Sequence, residues 1–214
     1  MILDLIVPQT CKKCGDPPGL NESRLGVCMS CMLNEFYMMD SVESRILIKE
    51  RIQLPWVAAG FRLGEGAIKS LIYKFKYAGR SKVAFDLGRE VASNWVPPEI
   101  EFALVPVPIP LRRKLKRGYN QTEWIAKGMK SIWGAEVFSR ALIRSKHTSS
   151  LTTAGRWKRA DELVGVIKIG PLPPGIPIVL VDDVLTTGTT LRACRDVLEN
   201  AHFKVIGVAV IALV

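Results

Sequence analysis

The run Val179-Leu180-Val181-Asp182-Asp183-Val184-Leu185-Thr186-Thr187-Gly188-Thr189-Thr190-Leu191 gathers the groups best suited to hold a phosphorylated sugar. An apolar stretch that reads as a buried strand delivers two adjacent carboxylates, and a hydroxyl-rich turn around one glycine then opens a helix. Carboxylates accept strong, charge-assisted hydrogen bonds from sugar hydroxyls. A helix N-terminus offers orphan backbone N–H groups and the positive end of the dipole, both of which favour phosphate. Gly188 lets the backbone come close to such a group. An ordinary helix cap accounts for one or two of these residues. It does not account for two carboxylates and four threonines around a single glycine.

Two further clusters carry chemistry. Cys11-x-x-Cys14 and Cys28-x-x-Cys31 supply four thiolates, the donor set of a closed, structural tetrahedral zinc site. Zinc would then fold residues 1–40, a loop-rich stretch with too little apolar surface to hold itself together. Free or disulfide-linked thiols are the alternative reading. The fifth cysteine, Cys194, is expected to be a small buried hydrophobe in a helix. Further along, Arg112-Arg113-Lys114-Leu115-Lys116-Arg117-Gly118-Tyr119-Asn120-Gln121 places five basic residues in six positions, between an apolar strand and the next helix. Such a junction suits a pyrophosphate, although a solvated basic helix fits the composition as well.

Positioning these groups requires strands alternating with helices. The pattern predicts strands at 55–61, 102–108, within 137–143, at 177–181 and at 204–213. It predicts helices at 66–77, 83–95, 120–131 and 189–200, with Asn120 or Thr122 as a cap. Strand–helix alternation implies a largely parallel α/β sheet, with ligands at the carboxyl ends of its strands. Asp182 and Asp183 fall at such an end. Residues 144–162 are basic and polar with little core pattern.

The chain has 214 residues, 48% hydrophobic and 23% charged, with a formal net charge of +10. No run is long enough to cross a bilayer, and the first residues lack the basic start of a secretory leader. A cytoplasmic protein is therefore expected, with thiols kept reduced. The positive excess points to an anionic partner. Lys74, Lys76, Arg112, Arg113, Lys114, Lys116, Lys158 and Arg159, with Trp157 among them, are candidates for single-stranded nucleic acid, where cations follow the backbone and aromatics stack on bases. Phe75 and Trp157 serve equally well as packing residues. Neither His147 nor His202 has a nucleophile beside it in sequence.

The Val179–Leu191 run resembles the phosphoribosyl pyrophosphate (PRPP) motif of type I phosphoribosyltransferases. Together with the CxxC pairs, the Lys76-Tyr77-x-Gly79 element and the stretch from Val105 to Gln121, it resembles the ComF family over nearly the whole chain. These are bacterial phosphoribosyltransferase-like proteins associated with natural competence and the use of DNA as a nutrient.

The resemblance implies a type I phosphoribosyltransferase fold at 41–214 behind a zinc-binding element at 1–40. It implies PRPP, with magnesium, held by Asp182, Asp183, Thr186, Thr187, Gly188, Thr189 and Thr190. Arg117, Gly118, Tyr119, Asn120 and Gln121 would form the pyrophosphate loop. A mobile loop over roughly 144–163 would carry Arg156, but the usual Asn and Gln of that loop pattern are not evident here.

Asp182, Asp183 and Arg156 are the candidates for catalysis. In several purine-salvage relatives an acid two or three places after the pair serves the base; here those places hold Leu185 and Thr186. Two functions follow: a magnesium-dependent phosphoribosyltransferase with an unidentified nitrogen acceptor, or a non-catalytic adaptor that holds PRPP or a nucleotide while gripping single-stranded DNA beside competence-machinery proteins. A zinc-ribbon transcription factor is a weaker third.

Overall fold

The computed structural model describes residues 11, 50–63, 67–144 and 167–214. Of the expected zinc ligands only Cys11 falls within that set, and it is buried. Cys14, Cys28, Cys31, Arg156, Trp157, Lys158, Arg159 and the loop positions 145–163 lie outside the described residues.

After a helical turn at 50–52, the described elements run β1 (Trp56–Arg62), α1 (Ala67–Tyr77), α2 (Ser81–Asn94), β2 (Ala103–Pro106), α3 (Leu111–Arg117), α4 (Gln121–Trp133), β3 (Glu136–Val137), β4 (Leu142–Arg144), β5 (Ile167–Ile169), β6 (Ile178–Leu185), α5 (Thr189–Asn200) and β7 (Val205–Leu213). Five strands form one sheet in the order β1-β7-β6-β2-β3, and every pairing in it is parallel. β4 and β5 form a separate antiparallel pair. The expected strand between 137 and 143 thus resolves into two short pieces in two different sheets.

A parallel sheet buried on both faces needs strands that are apolar throughout. β7, Val-Ile-Gly-Val-Ala-Val-Ile-Ala-Leu, is buried at all nine positions. Successive side chains alternate between faces. Val179 and Val181 of β6 enter the core beneath α1, α2 and α4, whereas Ile178 and Leu180 enter the core beneath α5.

Two glycines set the spacing of α2 and α4. A Cβ on Gly88 would lie 2.2 Å from the Ile125 carbonyl oxygen, and one on Gly128 would lie 2.1 Å from that of Phe85. Backbone meets backbone there, so the rigid α2–α4 pair fixes where the first residues of α4 stand. Asn120 caps that helix, its Oδ1 accepting from the Thr122 N–H at 3.3 Å. Its Nδ2 donates to the Val107 carbonyl at 3.2 Å. The Thr122 hydroxyl lies 2.8 Å from both Val107 O and Asn120 Oδ1, so its single proton serves one of them at a time. These bonds rivet α4 to the end of β2.

The basic run does not sit in an open turn. Leu111–Arg117 is a helix of its own, without a buried residue, closed by Gly118 in the left-handed region at φ 78°. This is the solvated basic helix that the composition allowed, and its two leucines, Leu111 and Leu115, stay exposed.

Candidate functional site

β6 continues four residues past the expected strand end. Asp182, Val184 and Leu185 stay in register with Val210, Ala212 and Leu213 of β7. Asp182 and Asp183 are therefore consecutive residues of a strand and face opposite sides of the sheet, not side by side as adjacent carboxylates at a loose end would be. Both still line one cavity of about 460 Å³ at the carboxyl edge of the sheet, where it wraps around the end of β6.

Asp183 is buried, and its Oδ2 takes two bonds: Lys76 Nζ of α1 at 2.9 Å and Gln121 Nε2 of α4 at 2.9 Å. A buried carboxylate needs such partners. Asp182 turns towards α5. Its Oδ1 accepts from the Asp183 backbone N–H at 2.8 Å. Burial, then the Asp183 carboxylate, pushes its pKa up to about 8, against the opposing pull of that N–H and of Lys76. Burial also raises the Cys194 thiol, with the Asp182 charge adding to it. Cys194 is fully buried in α5, as a small hydrophobe would be.

The turn between β6 and α5 is held from outside. Arg51 Nη1 donates to the Thr186 carbonyl at 2.7 Å, and Arg192 Nη1 donates to that of Thr187 at 2.9 Å. Arg192 also binds the Arg51 carbonyl. With these carbonyls tied, the amides that start α5 are the groups left for an anion. Gly188 stands at φ 74°, and a Cβ there would lie 3.0 Å from Arg51 O. Among the threonines, Thr186 and Thr190 line the cavity. Thr187 and Thr189 share a hydroxyl–hydroxyl bond of 2.9 Å.

The other charged groups on the wall are basic: Lys69 and Lys76 from α1, Arg113 and Arg117 from α3, and Arg144 from β4, against the two aspartates. Burial lowers the Arg144 pKa, with Cys194 opposing and Arg113 adding to the shift. Of the expected pyrophosphate loop, Arg117 and Gln121 line the cavity, and they bond to each other at 2.8 Å. Tyr119 instead donates its hydroxyl to the Phe75 carbonyl, and Asn120 is spent on its cap, so both side chains hold the loop. Lys76, a nucleic-acid candidate by sequence, is an ion-pair partner of Asp183, and Phe75 is fully buried core. Arg112, Lys114 and Lys116 are exposed on α3.

Sequence reasoning missed Lys69 and Tyr73. They precede Tyr77 by eight and four residues, a helical stripe that was there to be read. It also missed Arg51 and Arg192 as anchors of the threonine turn. Arg51 lies 135 positions from Thr186, and no local signal could join them.

Residues 116–213 match the family described as the phosphoribosyl transferase domain. The competence protein ComFC of Bacillus subtilis is 25% identical over 201 residues, 92% of this chain and 75% of that protein. The chain is thus similar to ComF-type, phosphoribosyltransferase-like proteins. ComFC of Streptococcus pneumoniae is 29% identical over 143 residues, 64% of this chain and 60% of its own length. The DNA utilization protein YhgH of Escherichia coli K12 is 27% identical over 137 residues, covering 61% of this chain and 60% of that one. The chain thus spans about three fifths of the YhgH relatives it matches. The domain match begins within α3, so the α1 wall of the cavity, with Lys69, Tyr73, Lys76 and Tyr77, comes from outside it.

Proposed function

We propose that the cavity binds PRPP, brought in with magnesium, in a cytoplasmic protein that handles incoming single-stranded DNA. One observation carries the reading: a single cavity joins two strand-end carboxylates, a threonine turn at a helix start and five cations. Carboxylates suit the ribose hydroxyls, the turn suits the 5′-phosphate, and Arg113, Arg117 and Arg144 suit the pyrophosphate. Lys76 and Gln121 act one step back, orienting Asp183. The names of the ComFC and YhgH relatives, competence protein and DNA utilization protein, support the DNA-handling part.

Magnesium fits as a companion of the ligand. Among the described residues no three His, Cys, Asp or Glu side chains form a metal cage. Magnesium is commonly held by one or two carboxylates and the substrate's own phosphates. When bound it would offset charge on the pyrophosphate. Structural zinc on Cys11, Cys14, Cys28 and Cys31 belongs to this proposal on the spacing of those residues alone.

The adaptor form of the reading has an observation in its favour. No acid follows the pair: Leu185 is buried, and exposed Thr186 is a poor base without a partner. Pyrophosphate release from PRPP and magnesium, measured against a panel of nitrogen bases and amines, separates the two forms. Release with any acceptor makes the chain an enzyme. PRPP binding without release across the panel supports an adaptor.

A further inference from the structure

α1 presents two stripes. Ile68, Leu71, Ile72 and Phe75 are core, and a second line of Lys69, Tyr73 and Tyr77 runs along the mouth of the cavity. Core packing does not explain the two tyrosines: Tyr73 is 64% exposed and Tyr77 59%. Their rings nonetheless sit together, with centroids 4.8 Å apart and planes at 42°. The Arg117 guanidinium lies 5.3 Å over the Tyr77 ring and so brings the start of this shelf against α3. Over their eighteen residues α1 and α3 carry eight lysines and arginines and no acid. Two paired rings exposed amid one sign of charge offer an apolar face and cations together, the combination that suits an unpaired base and its phosphate.

We infer that Tyr73 and Tyr77 form a stacking platform for unpaired bases, over which a single DNA strand crosses the cavity mouth while its phosphates run along the exposed cations of α3. Aromatic faces accept any base, and cations that track the backbone add affinity without reading sequence. A duplex keeps its bases stacked inside and cannot use the rings. The inference rests on the DNA-handling reading above and is independent of what fills the cavity.

Fluorescence anisotropy with a labelled dT 20-mer and a duplex of equal length tests it. The wild-type chain should prefer the single strand. The Tyr73→Ala/Tyr77→Ala variant should bind that strand about tenfold or more weakly, the loss of one or two stacked bases. Its salt dependence should stay that of the wild type, since every cation is retained. The Tyr73→Phe/Tyr77→Phe variant should bind as wild type. On the unaltered protein, a 5-iodouracil strand should photo-crosslink to Tyr73 or Tyr77, which keeps the inference testable should the alanine variant fold poorly.

Equal binding of duplex and single strand, full affinity in the alanine variant, equal loss in the phenylalanine variant, or crosslinks only elsewhere would each overturn it. So would a tyrosine requirement for adenosine monophosphate but not for the 20-mer, which would make the shelf a mononucleotide site. Failure of the PRPP reading would show separately, as absence of PRPP binding by the wild type, whatever the strand does.

Discussion

At the scale of single residues, Asp182 and Asp183 behave differently because a strand turns them to different neighbours. Asp183 has Lys76 and Gln121, each 2.9 Å from its Oδ2. Replacing Lys76 with Met leaves that buried carboxylate with one neutral donor. Lys76→Met should cost about 2 kcal/mol of stability in urea melts.

For Asp182, burial and the Asp183 charge outweigh the pull of Lys76, and its pKa stands well above its ordinary 3.8, at about 8. Between those values the unfolded chain sheds the proton and the folded chain keeps it. The contribution of Asp182 to stability is therefore full in acid and lost as pH rises towards 8. Asp182→Asn has no proton to keep. Its stability relative to wild type should rise by at least about 1 kcal/mol between pH 4 and pH 8, as denaturant melts across that range would measure. The carboxylates themselves were legible in the sequence, since adjacent acids before a threonine turn have few structural uses. Their division between two faces was not, because it depends on β6 running on to Leu185. Val184 and Leu185 belong to the strand only through β7 partners some thirty residues away.

Among elements, the decisive piece is α4, which brings Gln121 to Asp183 and rivets the end of β2. Its seat depends on Gly88 and Gly128. Gly128→Ala would drive a Cβ to 2.1 Å from the Phe85 carbonyl oxygen, and backbone cannot yield as a side-chain tip can. We expect a loss of about 1–3 kcal/mol and weaker PRPP binding, measured by thermal melting and calorimetry, although the substitution adds only a methyl outside the cavity. Helical glycines give no such warning in sequence, where Gly128 reads as an ordinary weak spot. The apolar spacing of α1, α2, α4 and α5 and the long apolar runs of β6 and β7 were readable, because each buries a continuous stripe. α3 was readable only as one of two alternatives, because it buries nothing, and the β4–β5 pair was not readable as a separate sheet, because three-residue strands carry too few residues for a period.

On the scale of the whole molecule, charge and topology converge. A parallel sheet concentrates helix starts and loop ends at one edge, and that edge receives Lys69, Lys76, Arg113, Arg117 and Arg144. A formal charge of +10 predicts an anionic partner in general; the fold gathers five of the cations around one cavity and sets two exposed tyrosines at its mouth. No helix among the described residues is long and apolar enough to cross a membrane.

The most direct test is calorimetric titration of PRPP with magnesium into the wild-type chain and the Asp182→Ala/Asp183→Ala variant. Binding by the wild type, weakened at least tenfold in a variant that still melts cooperatively, is the predicted result. Equal affinity in the two proteins, or no binding by the wild type, would contradict the assignment of this cavity to a phosphorylated pentose.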